Sequence, residues 1–483
     1  MTDDARSHVP PSEMEALNEE HYGKAEHWRC IMKGCDALVA GEPLMKLTLC
    51  LSGITSGLHP TQRVHVMGTG ESQTGKSYAM GRIGENLLGR RFDIVNSASG
   101  KSIYYKCKDD PTAVNGTIRM YEEFADQSEE MQNQVKALTS RGANRLTLET
   151  VSERKKYLEC AVDGLPVVWT NMAMMLDNRG AEQILNRFLK VNTDESDRQD
   201  QLVQDFQRME EMKGPSTTAQ SVVIIKAKDE LNAIIGNGNH IVLNPFANFI
   251  TMKRPRTRGY RPMLVGLISA FTLSNRLIPS RPCIPNAEGK GYTLLVAHAD
   301  IVAGIAVWAG LERWQYSGVK ERILEVLEVM PDEAYVTPEE LASMFTVKSG
   351  YELATGTICN HLREAEKLDL VTSKREQQEV ETDNFGRERR VGRPAKVYKR
   401  LQKTQSAAGW ISHDVYASST VEYSVPEIDA LAEVIREHFP DFLRENPEAG
   451  YDIARHLLDF DYVPHLQKAV GNSIPEMLVF PTV

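Results

Sequence analysis

One short segment constrains this chain more than any other, because residues 70–77 complete the pattern G-x-x-x-x-G-K-[ST]. Its members are Gly70, Glu71, Ser72, Gln73, Thr74, Gly75, Lys76 and Ser77. The glycines let successive backbone N–H groups face a polyphosphate, the lysine neutralises its oxygens, and the serine hydroxyl ligates Mg²⁺. We predict an apolar strand over residues 64–67 and a helix over residues 78–88, whose positive end adds to the anion site. A plain glycine-rich turn would explain the glycines but not the Lys-Ser pair, so the segment predicts a nucleotide-binding α/β core.

Composition narrows the class of protein. A chain of 483 residues, with 41% hydrophobic and 25% charged residues, is typical of a globular protein of two to four domains. No apolar run is long enough for a membrane span and the first residues do not read as a signal peptide. The seven scattered cysteines form neither a disulfide framework nor a zinc pattern. We therefore expect no membrane partner and a cytoplasmic, nucleoid-associated location, or a nuclear one in a eukaryote. The net charge of −10 predicts that any nucleic-acid contact is local.

Changes in periodicity and charge divide the chain into five segments. We predict a polar N-terminal segment (1–34), an α/β ATPase core (35–212), a helical lid-like region (213–317), a winged-helix DNA-binding domain (318–402) and an acidic, mostly helical C-terminal segment (403–483). Within the core, one helix is expected from Cys35 to Ser52. The lid-like region is expected to contain a helical pair over residues 263–277 and 298–314.

Two later strand ends carry groups that ATP hydrolysis needs. A strand-like segment ends in Glu122 and Glu123, of which one carboxylate would hold Mg²⁺ through water and the next would orient the attacking water. Arg119 is unusual inside this strand, and a plain surface acidic pair is the alternative. A second strand ends at Asn171, whose amide can hydrogen-bond the attacking water or the γ-phosphate.

The order of these segments resembles the minichromosome maintenance (MCM) class of AAA+ replicative helicases over residues 35–310. The matching stretches are residues 41–53 before the nucleotide strand, Tyr121-Glu122-Glu123-Phe124 at the acidic strand end, Thr170-Asn171 at the sensor asparagine, Asn186-Arg187-Phe188 at the arginine finger, and Asp194-Glu195 with Asp197 in its acidic tail. The resemblance implies a homo-oligomeric ring, usually a hexamer, with ATP and Mg²⁺ bound between subunits. It assigns catalysis to Lys76, Glu123 and Asn171 of one subunit and Arg187 of the next, and Mg²⁺ binding to Ser77 and Glu122.

The resemblance also implies a second sensor arginine and a DNA-gripping hairpin. Arg261 falls at the position of the second sensor arginine, and Arg258 is the competing candidate for that role. For Arg187, the alternative is an ordinary solvated arginine at a helix end. The hairpin would join residues 145–151 to 157–160 and hold a DNA single strand in the central channel. Its basic tip consists of Arg154, Lys155 and Lys156, for which an ordinary surface turn is the alternative.

Three departures separate the chain from chromosomal members of that class. We expect no room before residue 35 for the N-terminal DNA-encircling domain and its oligonucleotide-binding barrel. The insertion before the acidic strand is shortened to residues 104–116, and Glu122 stands where the class usually has aspartate. The chain is therefore more similar to the compact forms that mobile elements carry.

Residues 318–402 read as a winged helix that binds duplex DNA. A capping box begins at Thr337, and a helix from Thr355 to Leu368 turns Ile358, Leu362 and Ala365 inward. The residues left to contact DNA are Asn360, His361, Arg363 and Lys367 on that helix and Arg389, Arg390, Arg393 and Lys396 in a basic wing. A winged helix that docks a protein is the alternative.

The whole pattern predicts an ATP-dependent DNA helicase or translocase that acts in DNA replication. The acidic C-terminal segment could dock a replication protein or regulate the motor. One alternative is an ATP-regulated DNA-binding switch that loads a helicase or marks an origin. Another is an AAA+ transcription activator, although the chain lacks the Gly-Ala-Phe-Thr-Gly-Ala loop of that group.

Overall fold

A computed structural model describes most of the chain between residues 18 and 470. The gaps in this range are residues 71–73, 96–98, 141–143, 152–156, 173–185, 195–196, 214–221, 253–256, 286–291, 316–325, 328, 332–333, 350–352, 368–370, 376–379, 383–387, 391–395, 401–414, 418–419, 439 and 444–448. Two compact units result, one from residues 1–315 with 407–483 and the other from residues 316–406.

Two helices, rather than one, precede the nucleotide strand. After a π-helical turn, α1 spans Glu26–Asp36 and α2 spans Pro43–Thr55, so the prediction of a single helix from Cys35 to Ser52 is wrong. The path breaks because Gly41 and Glu42 both adopt left-handed backbone conformations, with φ of 58° and 49°. A right-handed helix cannot continue through two such residues, and Pro43 then starts the next helix. Helix α1 also crosses the predicted boundary at residue 35.

A five-stranded parallel sheet forms the centre of the first unit. The elements in chain order are β1 (His65–Thr69), α3 (Lys76–Ile83), β2 (Phe92–Val95), α4 (Ser102–Lys106), β3 (Ile118–Tyr121), α5 (Glu129–Leu138), β4 (Arg145–Val151), β5 (Tyr157–Asp163), β6 (Val167–Met172) and β7 (Phe188–Asn192). The sheet has the order β2-β3-β6-β1-β7, and β4 and β5 form a separate antiparallel hairpin. The expected α/β core is therefore present, as its alternation of strands and helices predicts.

Alternate residues of the sheet bury against different helices. Val168 and Phe188 pack in one hydrophobic cluster with Val135 of α5. Trp169 is fully buried, and its Nε1 donates to Ser52 Oγ of α2 at 2.9 Å. Arg119 lies in β3 as predicted and is 5% exposed, with its guanidinium 3.9 Å from a carboxylate oxygen of Asp93 in β2.

The region after the sheet is mainly helical. Its elements are α6 (Asp197–Lys213), α7 (Val222–Ile235), β8 (Val242–Leu243), β9 (Ile250–Met252), α8 (Thr257–Ser274), β10 (Cys283–Pro285), β11 (Tyr292–Leu295) and α9 (His298–Gln315). Helices α8 and α9 form the expected pair, and they cross closely at Gly304. A Cβ atom there would lie 2.6 Å from the Ile268 side chain, so only glycine permits this approach.

The described part of the second unit includes two long helices and two antiparallel strand pairs. It contains α10 (Pro338–Ser349), α11 (Thr355–Lys367), β12 (Val371–Arg375), β13 (Val380–Thr382), β14 (Glu388–Arg390) and β15 (Lys396–Arg400). Strand β12 pairs with β15, and β13 pairs with β14. The predicted capping box is confirmed, because the Thr337 N–H donates to Glu340 Oε2 at 2.8 Å and the Glu340 N–H donates to Thr337 Oγ1 at 3.1 Å. Ile358, Leu362 and Ala365 are fully buried, as expected.

The C-terminal segment returns to the first unit. It contains β16 (Val415–Ala417), β17 (Val421–Ser424), α12 (Ile428–His438), α13 (Pro440–Leu443), α14 (Ala449–Asp459) and α15 (Val463–Val470). Strand β17 pairs antiparallel with β9. Tyr462 is 1% exposed and donates its hydroxyl to Asp300 Oδ1 at 3.1 Å, beside the buried ion pair of Asp300 with Arg281. The segment is thus part of the core of this unit, with residues 316–406 inserted before it. Within the described part of the chain, no helix has both the length and the apolar character of a membrane span.

Candidate nucleotide site

The phosphate-loop pattern lies between the carboxyl end of β1 and the start of α3. Gly75 has φ of 82°, a conformation that favours glycine, and it precedes the first residue of the helix. Among the described residues, apart from the chain neighbours Thr74 and Lys76, no atom lies within 4 Å of the point where its Cβ would stand. Glu71, Ser72 and Gln73 lie outside the described residues. The arrangement is one in which backbone N–H groups and the helix dipole can receive an anion.

Lys76 is held over the loop. Its side chain is 3% exposed, and its Nζ donates to Gly70 O at 3.1 Å and to Thr74 Oγ1 at 3.2 Å. Both acceptors belong to the loop itself, so the ammonium group lies where it can meet the β- and γ-oxygens of a polyphosphate.

Asn171 connects the loop with the acidic strand end. Its Nδ2 donates to Ser77 Oγ at 2.5 Å, and its Oδ1 accepts the Glu123 N–H at 2.6 Å. The contact follows from the strand order, because β6 lies between β1 and β3 and the carboxyl ends of parallel strands meet at one edge. Asn171 pairs across from Gly68 in β1, while Thr170 pairs across from Tyr121 in β3. The structure therefore brings Ser77, Asn171 and Glu123 together.

The backbone of the acidic pair is tightly held. Glu123 has φ of 42°, a left-handed conformation that costs about 1–3 kcal/mol in a residue other than glycine. Its carbonyl accepts the Asp126 N–H at 2.9 Å, and the Glu122 carbonyl accepts Gln127 Nε2 at 2.6 Å. Such strained residues concentrate at functional sites.

The oxygen-bearing side chains at this edge of the sheet suit a Mg²⁺ ion that the phosphates of the nucleotide would also bind. No group of three or more His, Cys, Asp or Glu side chains among the described residues could hold a metal ion alone. Mg²⁺ usually binds one or two protein oxygen ligands, several waters and substrate phosphates. Ser77, whose Oγ accepts Asn171 Nδ2, and Glu122, which directly follows β3, carry oxygen groups of that kind.

Arg187 lies at the opposite edge of the sheet. It directly precedes β7, whose first residue pairs with His65 at the start of β1, whereas the loop follows the end of β1. The strand separates the two edges by roughly 15 Å, at about 3.3 Å per residue. Its Nη1 donates to Lys136 O in the last turn of α5, and burial lowers the pKa of its guanidinium. Within one copy of the chain, Arg187 is therefore not brought to the loop.

Arg261 binds backbone carbonyl groups. Its Nη1 donates to Ile250 O at 2.9 Å and its Nη2 donates to Ala247 O at 2.7 Å. These contacts fasten α8 to the segment that carries β9, and no described contact joins Arg261 to the loop. The side chain of the competing Arg258 lies outside the described residues.

A cavity of about 920 Å³ beside the loop was not foreseen from the sequence. Its lining comes from the loop and α3 (Thr74, Gly75, Tyr78), the segment before α2 (Val39, Ala40, Glu42) and α6 (Gln199, Val203, Phe206). The volume is that of a small-molecule site, and the position next to the phosphate loop suits the base and ribose of a nucleotide. The Gly41-Glu42-Pro43 run was the available signal, because two left-handed residues and a proline there start α2 and turn the segment that lines the cavity.

The predicted DNA-contacting residues fall into two groups. Arg154, Lys155 and Lys156 lie in the gap between β4 and β5, outside the described residues, as does Arg393. Arg389 and Arg390 lie in β14 and Lys367 ends α11, but their side chains are outside the described part. Asn360 and Arg363 are exposed neighbours on α11, 3.4 Å apart.

Lys396 has a partner inside its own unit. Its Nζ lies 2.6 Å from Glu366 Oε2, which raises the pKa of the lysine and lowers that of the glutamate. The Ser373 hydroxyl also donates to the Glu366 carboxylate. Lys396 thus links β15 to α11.

Comparison with known proteins identifies one related domain. Residues 28–234 match the MTBMA_p00010 P-loop domain family. The match includes the loop and all five strands of the parallel sheet, and together they fit a P-loop NTPase. No curated protein sequence matches the chain.

Proposed function

We propose that this P-loop protein is an ATP-dependent DNA helicase or translocase of the MCM-like AAA+ class, which acts in the replication of a chromosome or mobile element. The observation that carries the proposal is the double contact of Asn171 with Ser77 and with the backbone of Glu123. This contact connects Ser77, the proposed Mg²⁺ ligand of the loop, with the acidic pair. A hydrolytic site needs this connection, since the water must be oriented relative to the γ-phosphate.

Each residue of the site has a distinct role in this proposal. Lys76 leaves its two loop acceptors to neutralise the phosphate oxygens, and Glu123 orients the attacking water. Asn171 keeps the backbone of Glu123 and the loop at a fixed separation. Ser77 and Glu122 would hold Mg²⁺, which supplies charge neutralisation at the β- and γ-phosphates when bound.

The position of Arg187 supports a homo-oligomer. An arginine at the far edge of the sheet cannot serve its own loop, but it can reach the loop of a second copy. Arg187 would leave the Lys136 carbonyl and stabilise charge on the departing phosphate of its neighbour. Such head-to-tail contacts can close into a ring, which is hexameric in the class that the chain resembles. In that ring, every phosphate loop receives one Arg187 side chain from a neighbouring subunit.

The second unit supports DNA binding. Supporting observations are the order of α10, α11, the β12–β15 pair and the β13–β14 pair along the described residues, and the exposed Asn360 and Arg363 on α11. We propose that this helix enters the major groove of duplex DNA and that the arginines near β14 contact the backbone. The tip at residues 154–156 would grip the translocated single strand.

Strand displacement tests this proposal. Forked DNA with 3′ or 5′ tails is incubated with ATP and Mg²⁺, and Glu123→Gln serves as the blank that binds but does not hydrolyse ATP. We expect unwinding by the wild-type protein alone, with a preference for one tail. DNA-stimulated hydrolysis without displacement would instead assign an ATP-regulated DNA-binding switch or helicase loader. Hydrolysis that depends on a polymerase would assign a transcription activator.

A further inference from the structure

We propose that Thr193 is a positioning residue of the nucleotide site, whose hydroxyl holds Thr74 and so determines where the Lys76 ammonium group lies. The inference deepens the proposed function, because it requires that the loop bind a nucleotide. Neither the loop pattern nor the acidic strand end points to this residue.

Thr193 is fixed in an extension of the central sheet. It follows β7 directly, it is 3% exposed, and its N–H donates to Thr69 O at 3.1 Å, on the last residue of β1. Its Oγ1 lies 2.8 Å from Thr74 Oγ1. A rigid strand end thereby contacts a side chain inside the phosphate loop.

The same loop hydroxyl also receives Lys76. The Lys76 Nζ lies 3.2 Å from Thr74 Oγ1, and an ammonium group only donates, so the threonine oxygen is the acceptor. Thr193, Thr74 and Lys76 form a continuous polar chain from the sheet to the phosphate position. When Lys76 turns toward a phosphate, the contact with Thr193 keeps Thr74 and the adjoining Gly75 in place.

Asp194 and Gln199, which follow Thr193 in the chain, contact the segment before α2. The Asp194 N–H donates to Glu42 Oε1 at 3.0 Å, and Gln199 Nε2 donates to Ala40 O at 3.1 Å. Both acceptors belong to the wall of the cavity beside the loop. Thr193 therefore lies between two fixed parts of the site, which is the support that a precisely held loop requires.

Calorimetric titration of the full chain with ADP and Mg²⁺ tests the role of the hydroxyl. Thr193→Val replaces the hydroxyl by a methyl group of similar size, and Thr193→Ser keeps the hydroxyl. Loss of one such hydrogen bond predicts a Kd about tenfold higher for the valine variant and within about twofold of the wild type for the serine variant. Steady-state hydrolysis adds a second readout, in which KM rises by a similar factor while kcat changes less than about twofold.

Thr48→Val is the matched control. Thr48 is fully buried in α2, where its Oγ1 donates to Leu44 O at 2.7 Å, and we expect its loss to leave ADP affinity unchanged. If the valine variant does not fold, Thr193→Ala removes the same hydroxyl without adding a methyl group there. Wild-type affinity in Thr193→Val, or equal weakening in the serine and valine variants, would overturn the inference. Absence of ADP binding by the wild type would instead refute the nucleotide function itself.

Discussion

At the scale of single residues, Asn171 is held by contacts with two different elements of the site. It is fully buried, and its two polar atoms contact different elements, the helix after the loop and the turn after the acidic strand. The residue type was predictable from its place at a strand end. Its partners were not, because they depend on which strands are neighbours in the sheet.

Replacement of Asn171 by alanine tests this connection. We expect Asn171→Ala to lower kcat for ATP hydrolysis about a hundredfold, since a pre-oriented polar group at the reacting phosphate is lost. The Kd for ADP, which depends on the loop, should change less than about threefold. Asn86→Ala is the control, because Asn86 donates to Arg82 O within its own helical turn. A kcat close to that of the wild type would contradict the assignment.

His27 provides a pH dependence of stability at the same scale. Neither of its nitrogens has a hydrogen-bond partner among the residues that the structure describes. Burial and, to a smaller extent, the nearby charge of His21 lower its pKa from 6.5 to about 3. The unfolded chain therefore binds more protons between these values, so stability is lost as the pH falls through this window. We expect the free energy of unfolding to fall by about 2 kcal/mol between pH 7 and pH 5 because of this group.

The variant His27→Phe checks this assignment. Phenylalanine keeps an aromatic ring beside Tyr22 and Trp28 but cannot be protonated. Denaturant unfolding at both pH values should show most of the loss in the wild type and little of it in the variant. An equal loss in both proteins would assign the pH dependence to other groups.

At the scale of elements, the junction of the loop and α3 shows two glycines with different requirements. Gly75 has a left-handed backbone. Gly81 lies inside α3. Beyond its chain neighbours and the backbone of its own helix, the nearest described atom to the point where its Cβ would stand is Ile94 Cδ1, at 3.8 Å. The first glycine is thus required by conformation, and the second is a helix residue with room for a methyl group.

Paired alanine substitutions separate these cases. We expect Gly75→Ala to strain the loop by about 1–2 kcal/mol and to weaken ADP binding at least tenfold. Gly81→Ala should leave binding unchanged and stabilise the protein by up to about 1 kcal/mol, because alanine is the better helix former. Calorimetric titration and thermal unfolding measure both. Equal affinities of the two variants would contradict the importance of the left-handed residue.

Elements with strong local patterns were predicted well from sequence. The helices α8, α9 and α11 and the capping box at Thr337 depend on periodicity or on contacts three residues apart. The single helix from Cys35 to Ser52 failed because apolar spacing does not reveal two left-handed residues in the middle of the pattern. The cavity wall formed at that break was missed for the same reason.

At the scale of the whole molecule, Arg187 lies at the edge of the sheet opposite the loop. This position predicts how a mixture of two inactive variants behaves. We expect Arg187→Ala and Lys76→Ala each to lack ATP hydrolysis when alone. When the two are mixed, some intact loops of the first variant meet intact Arg187 side chains of the second, so activity should partly return. Steady-state hydrolysis against mixing ratio measures this effect.

The control for the mixing experiment is Arg29→Ala. Arg29 pairs with Glu26 at 2.7 Å on the surface of α1 and should keep full activity. Normal hydrolysis by Arg187→Ala alone would refute the role of this residue between subunits. No recovery in the mixture would refute action on a second copy.

The sequence by itself determined the chemistry of the loop, because eight adjacent residues are sufficient to specify a phosphate-binding turn before a helix. It also determined α8, α9, α11 and the capped helix of the second unit, which are governed by short-range contacts. Only the tertiary structure decided that β6 lies between β1 and β3, that Arg187 and the loop lie at opposite edges, and that Thr193 contacts Thr74. It also decided that the C-terminal segment completes the first unit through β17 and Tyr462. These features depend on contacts between residues far apart in the chain, whose relative free energies no local pattern encodes.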